Sequence, residues 1–204
     1  MPLTVRDPDS IPKPKAEIGK MSNLTLDETH QYCLDGRLMD GLTSTIQEAG
    51  LIRNSDPWYM ERGTAIHLDT EHWDKETLDE DSVPDERMGY LESWIKFRRD
   101  QNYTPVEIEY LTYHPELMVG TKIDRLPFLD IKSGVWEKWH ILQLALQWSA
   151  LICHGMHEMA RSPMGVYLDP DGGPPKVKLY KTSEMREAFK AYASMLHFIR
   201  WRRG

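Results

Sequence analysis

The residues best suited to chemistry are concentrated in one stretch of the sequence, residues 120–143. This stretch places Asp124 on one apolar segment and Asp130 with Lys132 on the next. Both segments otherwise have the composition of buried strands, where an unpaired charge costs several kcal/mol. Something must compensate for these charges, and a divalent cation is the natural candidate.

The segment from Asp124 to Asp130 is predicted to be a β-hairpin that turns at Pro127. A symmetric turn would place the two aspartates opposite each other on the ladder, with Cβ atoms about 4.5–5.5 Å apart. Lys132 points to the same face of its strand as Asp130, because the side-chain period of a strand is two. Glu109 on the preceding strand can add a third carboxylate. Oxygen ligands without cysteine favour a hard cation, Mg²⁺ or Mn²⁺, over zinc.

Carboxylates, a hard cation and a lysine together suit the hydrolysis of a phosphodiester. The cation can polarise a phosphoryl oxygen and activate a water, while the Lys132 ammonium steadies the attacking water or the developing charge. A structural salt bridge between Lys132 and one aspartate is the competing interpretation. The spacing alone does not decide between these two roles.

Composition bounds the class of protein. The 204 residues are 40% hydrophobic and 28% charged, which is typical of one soluble globular domain. No apolar run approaches the ~20 residues needed to cross a bilayer, and the N-terminus lacks the apolar core of a signal peptide, so we expect a cytoplasmic protein without a membrane partner. The net charge of −7 argues against indiscriminate coating of nucleic acid. Two distant cysteines exclude a four-thiolate zinc or iron–sulfur site of their own.

The elements that position these residues are predicted from periodicity and turn signals. Residues 1–56 are expected to form an N-terminal unit, with an extended arm over 1–20 and a β-hairpin around Asp35-Gly36. A short helix follows in this unit, with Thr45 and Glu48 as a capping box and Gly50 as its stop.

Residues 57–204 are expected to form the core. A helix begins near Pro57, and a second runs from Asp85 to Asp100. After residue 105 the period changes to that of strands. The order of elements predicts an α/β protein, with strands over 106–111, 118–126 and 128–132, a helix over 138–154, strands over 163–169 and 176–181, and a closing helix over 183–202.

Five motifs in this order resemble the PD-(D/E)xK nuclease superfamily, and within it the RecB-like exonuclease branch of phage and prophage type, without an iron–sulfur cluster. Each motif is weak separately, but five in this order and spacing are a strong signal, and the similarity extends from Trp58 to Trp201. The matching residues are Gly63 and His67, Glu109, Gly120 and Asp124, Asp130-Ile131-Lys132 with Ser133-Gly134, and His140 with Gln143.

The resemblance implies a fold and a set of roles. The fold is a restriction-endonuclease-like core, a central mixed β-sheet flanked by helices, with the N-terminal hairpin and helix as an extension. Lys132 is the catalytic lysine, and Gln143 orients that lysine or the DNA. The implied metal ligands are Glu109, Asp124, Asp130 and the backbone carbonyl of Ile131, with His67 on the metal or a phosphate.

Several residues beside these motifs are expected to contact DNA. Trp136 and Trp139 could stack on unpaired bases, although core packing is the alternative for both. His140 and Gln143 complete the expected set of DNA contacts. On a late strand, three basic residues could follow the DNA backbone or solubilise an edge strand: Lys176, Lys178 and Lys181.

The implied function is a Mg²⁺-dependent deoxyribonuclease, an exonuclease rather than an endonuclease, acting in phage DNA recombination, replication or end processing. Alternatives are a general or structure-specific endonuclease of the same fold and a catalytically impaired DNA-binding module. DNA is the expected partner, together with a phage single-strand annealing protein or recombinase in the host cytoplasm. Two departures are Gln147, where the family has a tyrosine, and the short hairpin between Asp124 and Asp130.

Overall fold

In the computed structural model of the protein, residues 23–52 and 57–204 are described. The arm predicted over residues 1–20 lies outside the described residues. The described ranges contain a short 3₁₀ helix at Glu80–Ser82 and five α-helices: α1 (Leu42–Glu48), α2 (Pro57–Asp74), α3 (Asp85–Asp100), α4 (His140–Cys153) and α5 (Thr182–Arg203).

Eight strands in the described part of the chain form one mixed sheet. The core elements that the sequence predicted are confirmed, whereas the first strand was not predicted. The strands are β1 (Leu24–Leu26), β2 (Tyr32–Leu34), β3 (Arg37–Gly41), β4 (Glu107–His114), β5 (Val119–Leu126), β6 (Leu129–Lys132), β7 (Met164–Tyr167) and β8 (Lys176–Leu179).

Strand β5 is the centre of the sheet. Along its length it pairs antiparallel with β4. Its start pairs parallel with β3, and its end pairs antiparallel with β6. The sheet continues with β7 parallel to β6 and β8 antiparallel to β7. This arrangement confirms the expected α/β architecture with a mixed sheet.

Two apolar clusters cover β6 from opposite faces. Leu129 and Ile131 pack with residues of α2 and α3, among them the fully buried Trp94. Phe128 packs instead with the cluster that contains residues of α4 and α5. Because side chains alternate along a strand, Asp130 and Lys132 share the face of Phe128 and are directed toward α4.

The N-terminal hairpin joins the same sheet. Asp35 and Gly36 both have positive φ, 51° and 78°, as the predicted two-residue turn requires. Beyond the turn, β3 pairs with β5 through Gly41 and Gly120. A Cβ atom on Gly120 would lie 2.3 Å from the ring of Tyr32, so the close packing of this ring requires glycine there.

The predicted start of the short helix is wrong. Helix α1 begins at Leu42 after Gly41, so Thr45 lies inside the helix. The Thr45 hydroxyl donates to the Leu42 carbonyl oxygen at 2.7 Å and lies 2.7 Å from the Tyr192 hydroxyl. Its role is to hold α1 against α5. The predicted stop at Gly50 is confirmed, since this residue has a φ of 74° immediately after the helix.

Among the helices of the described ranges, none is both long enough and apolar enough to cross a bilayer.

Candidate metal centre and catalytic lysine

Three side chains from three different elements converge beside β5. Helix α2 supplies His67, β4 supplies Glu109 and β5 supplies Asp124, and one ligand atom from each lies within 4.8 Å of the others. His67 Nδ1 is 3.6 Å from Asp124 Oδ2. The register of β4 and β5 places the residues flanking Glu109 opposite those flanking Asp124. The group has the ligand types of a hard-cation site.

Glu109 is the strained member of this group. Its φ is 54°, in the left-handed region that a residue with a side chain rarely adopts within a strand. Lys122 Nζ lies 2.6 Å from Glu109 Oε2, and Arg125 Nη1 donates to Oε1 at 3.2 Å. Burial and the charge of Asp124 raise the pKa of Glu109, and the bond from Lys122 opposes that rise. Such backbone strain persists only where the surrounding contacts enforce it.

Arg125 holds Glu109 from behind. Its side chain is fully buried and donates from Nε to Asp74 Oδ2 at 2.6 Å and from Nη2 to Thr70 Oγ1 at 3.2 Å. Asp74 also pairs with Arg98 of α3. This network of ion pairs and hydrogen bonds therefore connects α2 and α3 to the candidate metal centre.

Lys132 forms the second part of the site. Its Nζ atom lies 3.1 Å from Asp130 Oδ1, 2.9 Å from Asp130 Oδ2 and 3.0 Å from Gln143 Oε1. Gln143 Nε2 donates to Asp130 Oδ1 at 2.8 Å. Gln143 therefore contacts both the lysine and the aspartate, and orientation of Lys132 by Gln143 stays a prediction.

Asp130 is almost completely buried. Burial raises the pKa of its carboxyl to about 6; Lys132 opposes this rise and Asp124 adds to it. Although Oδ2 lies close to the lysine ammonium, it accepts no aligned hydrogen bond from the described residues. A buried carboxylate oxygen with spare acceptor capacity is a suitable ligand for a cation.

The turn between the two aspartates is symmetric about Pro127, as expected, because Arg125 pairs with Leu129. Beyond that pair, Asp124 Oδ2 accepts a hydrogen bond from the Ile131 N–H at 2.6 Å. The Asp124 carboxylate thus binds a backbone N–H group of β6. Asp130 lies outside the group of three ligands and interacts with Lys132 and Gln143 instead.

Both parts of the site open into one cleft of about 550 Å³. The cleft lies between α2, the start of α4 and the end of β6. Among the residues that line it are the expected site residues His67, Glu109, Asp124, Lys132, Trp139, His140 and Gln143.

His140 is placed in the wall of this cleft. Its ring is 4% exposed, and Nδ1 accepts a hydrogen bond from the Glu137 N–H at 3.2 Å and lies 3.1 Å from the Tyr167 hydroxyl. Burial, with smaller contributions from Lys132 and Lys178, lowers the pKa of His140 to about 3. A neutral, hydrogen-bonded ring positions the loop before α4 and offers little surface to DNA.

The two tryptophans of the loop before α4 line different clefts. Trp139 lines the cleft, where Lys132 Nζ lies 5.7 Å from its ring centroid and its Nε1 donates to Glu137 Oε2 at 2.8 Å. Trp136 lines a second cleft on the other side of the loop.

Gln147, at the position of the expected tyrosine, is buried and donates to Thr121 Oγ1 and the Lys122 carbonyl oxygen. It therefore belongs to the core.

Sequence reasoning missed Lys122, Arg125 and Asp74. Arg125 directly follows Asp124 in an apolar strand, and a second charge beside the first was the available signal for a buried network. Asp74 lies in an acidic run that resembles a solvated helix end. Its burial depends on how α2 and α3 pack.

No protein-family model matches this chain, and no curated protein matches it either.

Proposed function

We propose that this protein is a Mg²⁺- or Mn²⁺-dependent deoxyribonuclease with a restriction-endonuclease-like core. One observation carries the proposal: Lys132 and Gln143, which both bond to Asp130, open into the same cleft as the His67–Glu109–Asp124 group. Of the two kinds of cleavage, exonuclease action is favoured by the resemblance to RecB-like exonucleases.

The donor set fits a hard divalent cation. His67, Glu109 and Asp124 would hold it, with Asp130 and the Ile131 carbonyl as additional ligands. Carboxylate oxygens predominate, and Asp130 Oδ2, which is ion-paired with Lys132 at 2.9 Å, accepts no aligned hydrogen bond from the described residues. When bound, the cation would polarise a phosphoryl oxygen and lower the pKa of a water molecule.

The protein's own residues supply orientation and charge. Lys132 is held between two acceptors, so its ammonium can donate to an attacking water or to a phosphoryl oxygen without reorganisation. Gln143 keeps the ammonium in that place. Arg125 keeps Glu109 directed toward Asp124 although burial disfavours two neighbouring carboxylates.

The decisive experiment incubates the full chain with linear and circular DNA, single- and double-stranded, in Mg²⁺, Mn²⁺ or EDTA. Cleavage of linear DNA alone, with either metal and not in EDTA, is the expected result. Cleavage of closed circles would overturn the exonuclease assignment and retain the nuclease. No cleavage with either metal would overturn the proposed function.

Substitutions assign the activity to the site. Lys132→Ala and Asp130→Ala are expected to lower the cleavage rate roughly 10²- to 10³-fold or more. Lys190→Ala is a matched control, because this lysine lies on α5 in an exposed pair with Glu187. Unchanged thermal unfolding would separate loss of chemistry from loss of structure, and retained activity in either site variant would contradict the assignment.

A further inference from the structure

A second cleft, of about 770 Å³, adjoins the candidate metal centre. The two clefts share residues 133–135, so this short loop is the wall between them. Lys132 and Trp136 lie at the two ends of the wall. A chain bound in the second cleft would therefore reach the lysine after crossing only this loop. The lining of the second cleft includes Arg62, Tyr90, Trp136, Lys176 and Lys178.

Arg62 adds a positive charge to this cleft. Within the described ranges no carboxylate forms an ion pair with Arg62, and its buried Nε has no hydrogen-bond acceptor. The guanidinium carbon lies 5.2 Å from the ring centroid of Tyr59 and 5.6 Å from that of Tyr90. A guanidinium held by aromatic rings keeps its hydrogen-bond donors available for an anion such as phosphate.

Two lysines of β8 add to this charge. Lys176 is exposed and Lys178 is half-buried, and both line the cleft. Asp169 is the carboxylate among the lining residues, and its Oδ1 accepts a hydrogen bond from the Asp171 N–H. The cleft thus presents three cationic side chains against one anionic side chain, although the whole chain carries a net charge of −7.

Trp136 supplies an exposed aromatic surface that is held in place. The side chain is 46% exposed. Its Nε1 donates to the Tyr180 hydroxyl at 3.2 Å, and Lys178 Nζ lies 3.7 Å from the ring centroid. A ring fixed in this way loses little conformational entropy when a base stacks on it.

We propose that this cleft binds an unpaired DNA strand beside the lysine site, with Trp136 stacked on a base and with Arg62, Lys176 and Lys178 on phosphates. The proposal rests on the proposed function and specifies its substrate class. Bases inside a duplex cover each other's faces, so a base within a bound strand that stacks on Trp136 must be unpaired.

The test measures binding without cleavage. Fluorescence anisotropy of the full chain in EDTA compares a labelled oligothymidylate with a blunt duplex of equal length. The expected result is tighter binding of the single strand, weakened roughly 5- to 150-fold by Trp136→Ala. Trp201→Ala is the matched control, because Trp201 is 71% exposed on α5 and lines neither cleft.

Two further variants separate stacking and charge from folding. Trp136→Phe retains an aromatic face and is expected to bind within about threefold of the unsubstituted protein, since stacking tolerates the change of ring. Lys176→Ala is expected to reduce the salt dependence of single-strand binding by about 0.7 in log–log slope, the value for one phosphate contact. Lys190→Ala should leave that slope unchanged.

The outcomes distinguish this proposal from the proposed function. Unchanged single-strand binding by Trp136→Ala, or equal affinity for the duplex, overturns the proposal even if the protein cleaves DNA. Equal losses for Trp136→Ala and Trp136→Phe overturn the stacking role. If the protein cleaves no DNA but single-strand binding depends on Trp136 and Lys176, the proposed function fails and the binding cleft stands.

Discussion

Lys122 Nζ lies 2.6 Å from Glu109 Oε2, so an ammonium group neutralises one carboxylate of the candidate metal centre. Both residues line the same cleft as His67 and Asp124. A divalent cation and the ammonium compete for the same oxygen. We therefore expect the cation to bind more tightly when the ammonium group is removed.

Lys122→Met is expected to tighten Mn²⁺ binding about 3- to 5-fold, which corresponds to the ~1 kcal/mol of a partly exposed ion pair. Isothermal titration calorimetry measures the affinity. Lys190→Met removes a lysine from an exposed pair on α5 and should not change it. An unchanged or weaker affinity for Lys122→Met would show that Glu109 does not bind the metal.

Gln143→Leu removes the side chain that joins Lys132 to Asp130. We expect kcat for DNA cleavage to fall about 10- to 100-fold, as for other residues that orient a site, while Mn²⁺ affinity stays within about threefold. Gln47→Leu, at an exposed position of α1, is the control. A normal kcat in the Gln143 variant would mean that Lys132 needs no partner on α4.

In the metal-free protein, the ionisation of Asp130 is expected to lower stability as pH rises from about 4 to 6. Burial raises the pKa of Asp130 to about 6, so the folded state holds this proton more tightly than the unfolded state. The contribution is complete below the unfolded pKa and disappears as pH rises through the folded pKa, with a size on the order of 2–3 kcal/mol.

Urea unfolding in EDTA at pH 4.5 and pH 7 measures this loss. Asp130→Asn cannot titrate at this position, so the free energy of unfolding of the unsubstituted protein, relative to that of Asp130→Asn, should fall between pH 4.5 and pH 7. The comparison removes the contribution of groups that do not interact with Asp130. An identical change in both proteins would contradict the raised pKa of Asp130.

Asp74→Ala would leave the buried Arg125 without its main partner. Removing one member of a buried ion pair costs about 3–5 kcal/mol. We expect a loss of this size in urea unfolding, with Asp74→Asn as the milder variant if the alanine variant does not fold. Glu187→Ala removes one member of an exposed pair and should change stability by less than ~1 kcal/mol. A similarly small change in the free energy of unfolding for Asp74→Ala would show that Asp74 does not stabilise the buried Arg125.

Gly120→Ala places a methyl group against the ring of Tyr32. We expect a destabilisation of about 1–3 kcal/mol from this overpacking. Tyr32→Ala removes the ring, so the cost of Gly120→Ala should be smaller in that background. Urea unfolding of the four proteins gives the coupling free energy, and strict additivity would exclude a steric contact between these residues.

Much of the fold follows from local signals. The turn at Asp35-Gly36, the change of period after residue 105 and the symmetric hairpin at Pro127 are each encoded by neighbouring residues, and all are confirmed. Helix α3 has the predicted bounds. The start of α1 was wrong because a capping-box pattern also occurs inside helices. Inside α1, the Thr45 hydroxyl bonds to a carbonyl of the preceding turn and to Tyr192.

The candidate site was predictable in its residue types and less so in its contacts. Asp130 was expected to bind metal, and Gln143 to orient Lys132 or the DNA. In the structure these three residues form one hydrogen-bonded unit, which includes the Lys132–Asp130 ion pair of the competing interpretation. The direction of Trp136 was not predictable, because strand and helix periodicity do not apply to the loop between β6 and α4.

The sequence by itself determined the elements, their order and the residues able to bind a cation, because these depend on periodicity, turn chemistry and side-chain type. Only the tertiary structure decided that His67, Glu109 and Asp124 form the candidate metal-binding group, whereas Asp130 forms an ion pair with Lys132. It also decided that Arg125 is neutralised by Asp74, fifty-one positions away. Such contacts depend on how helices pack across the sheet, and packing is a property of the whole chain.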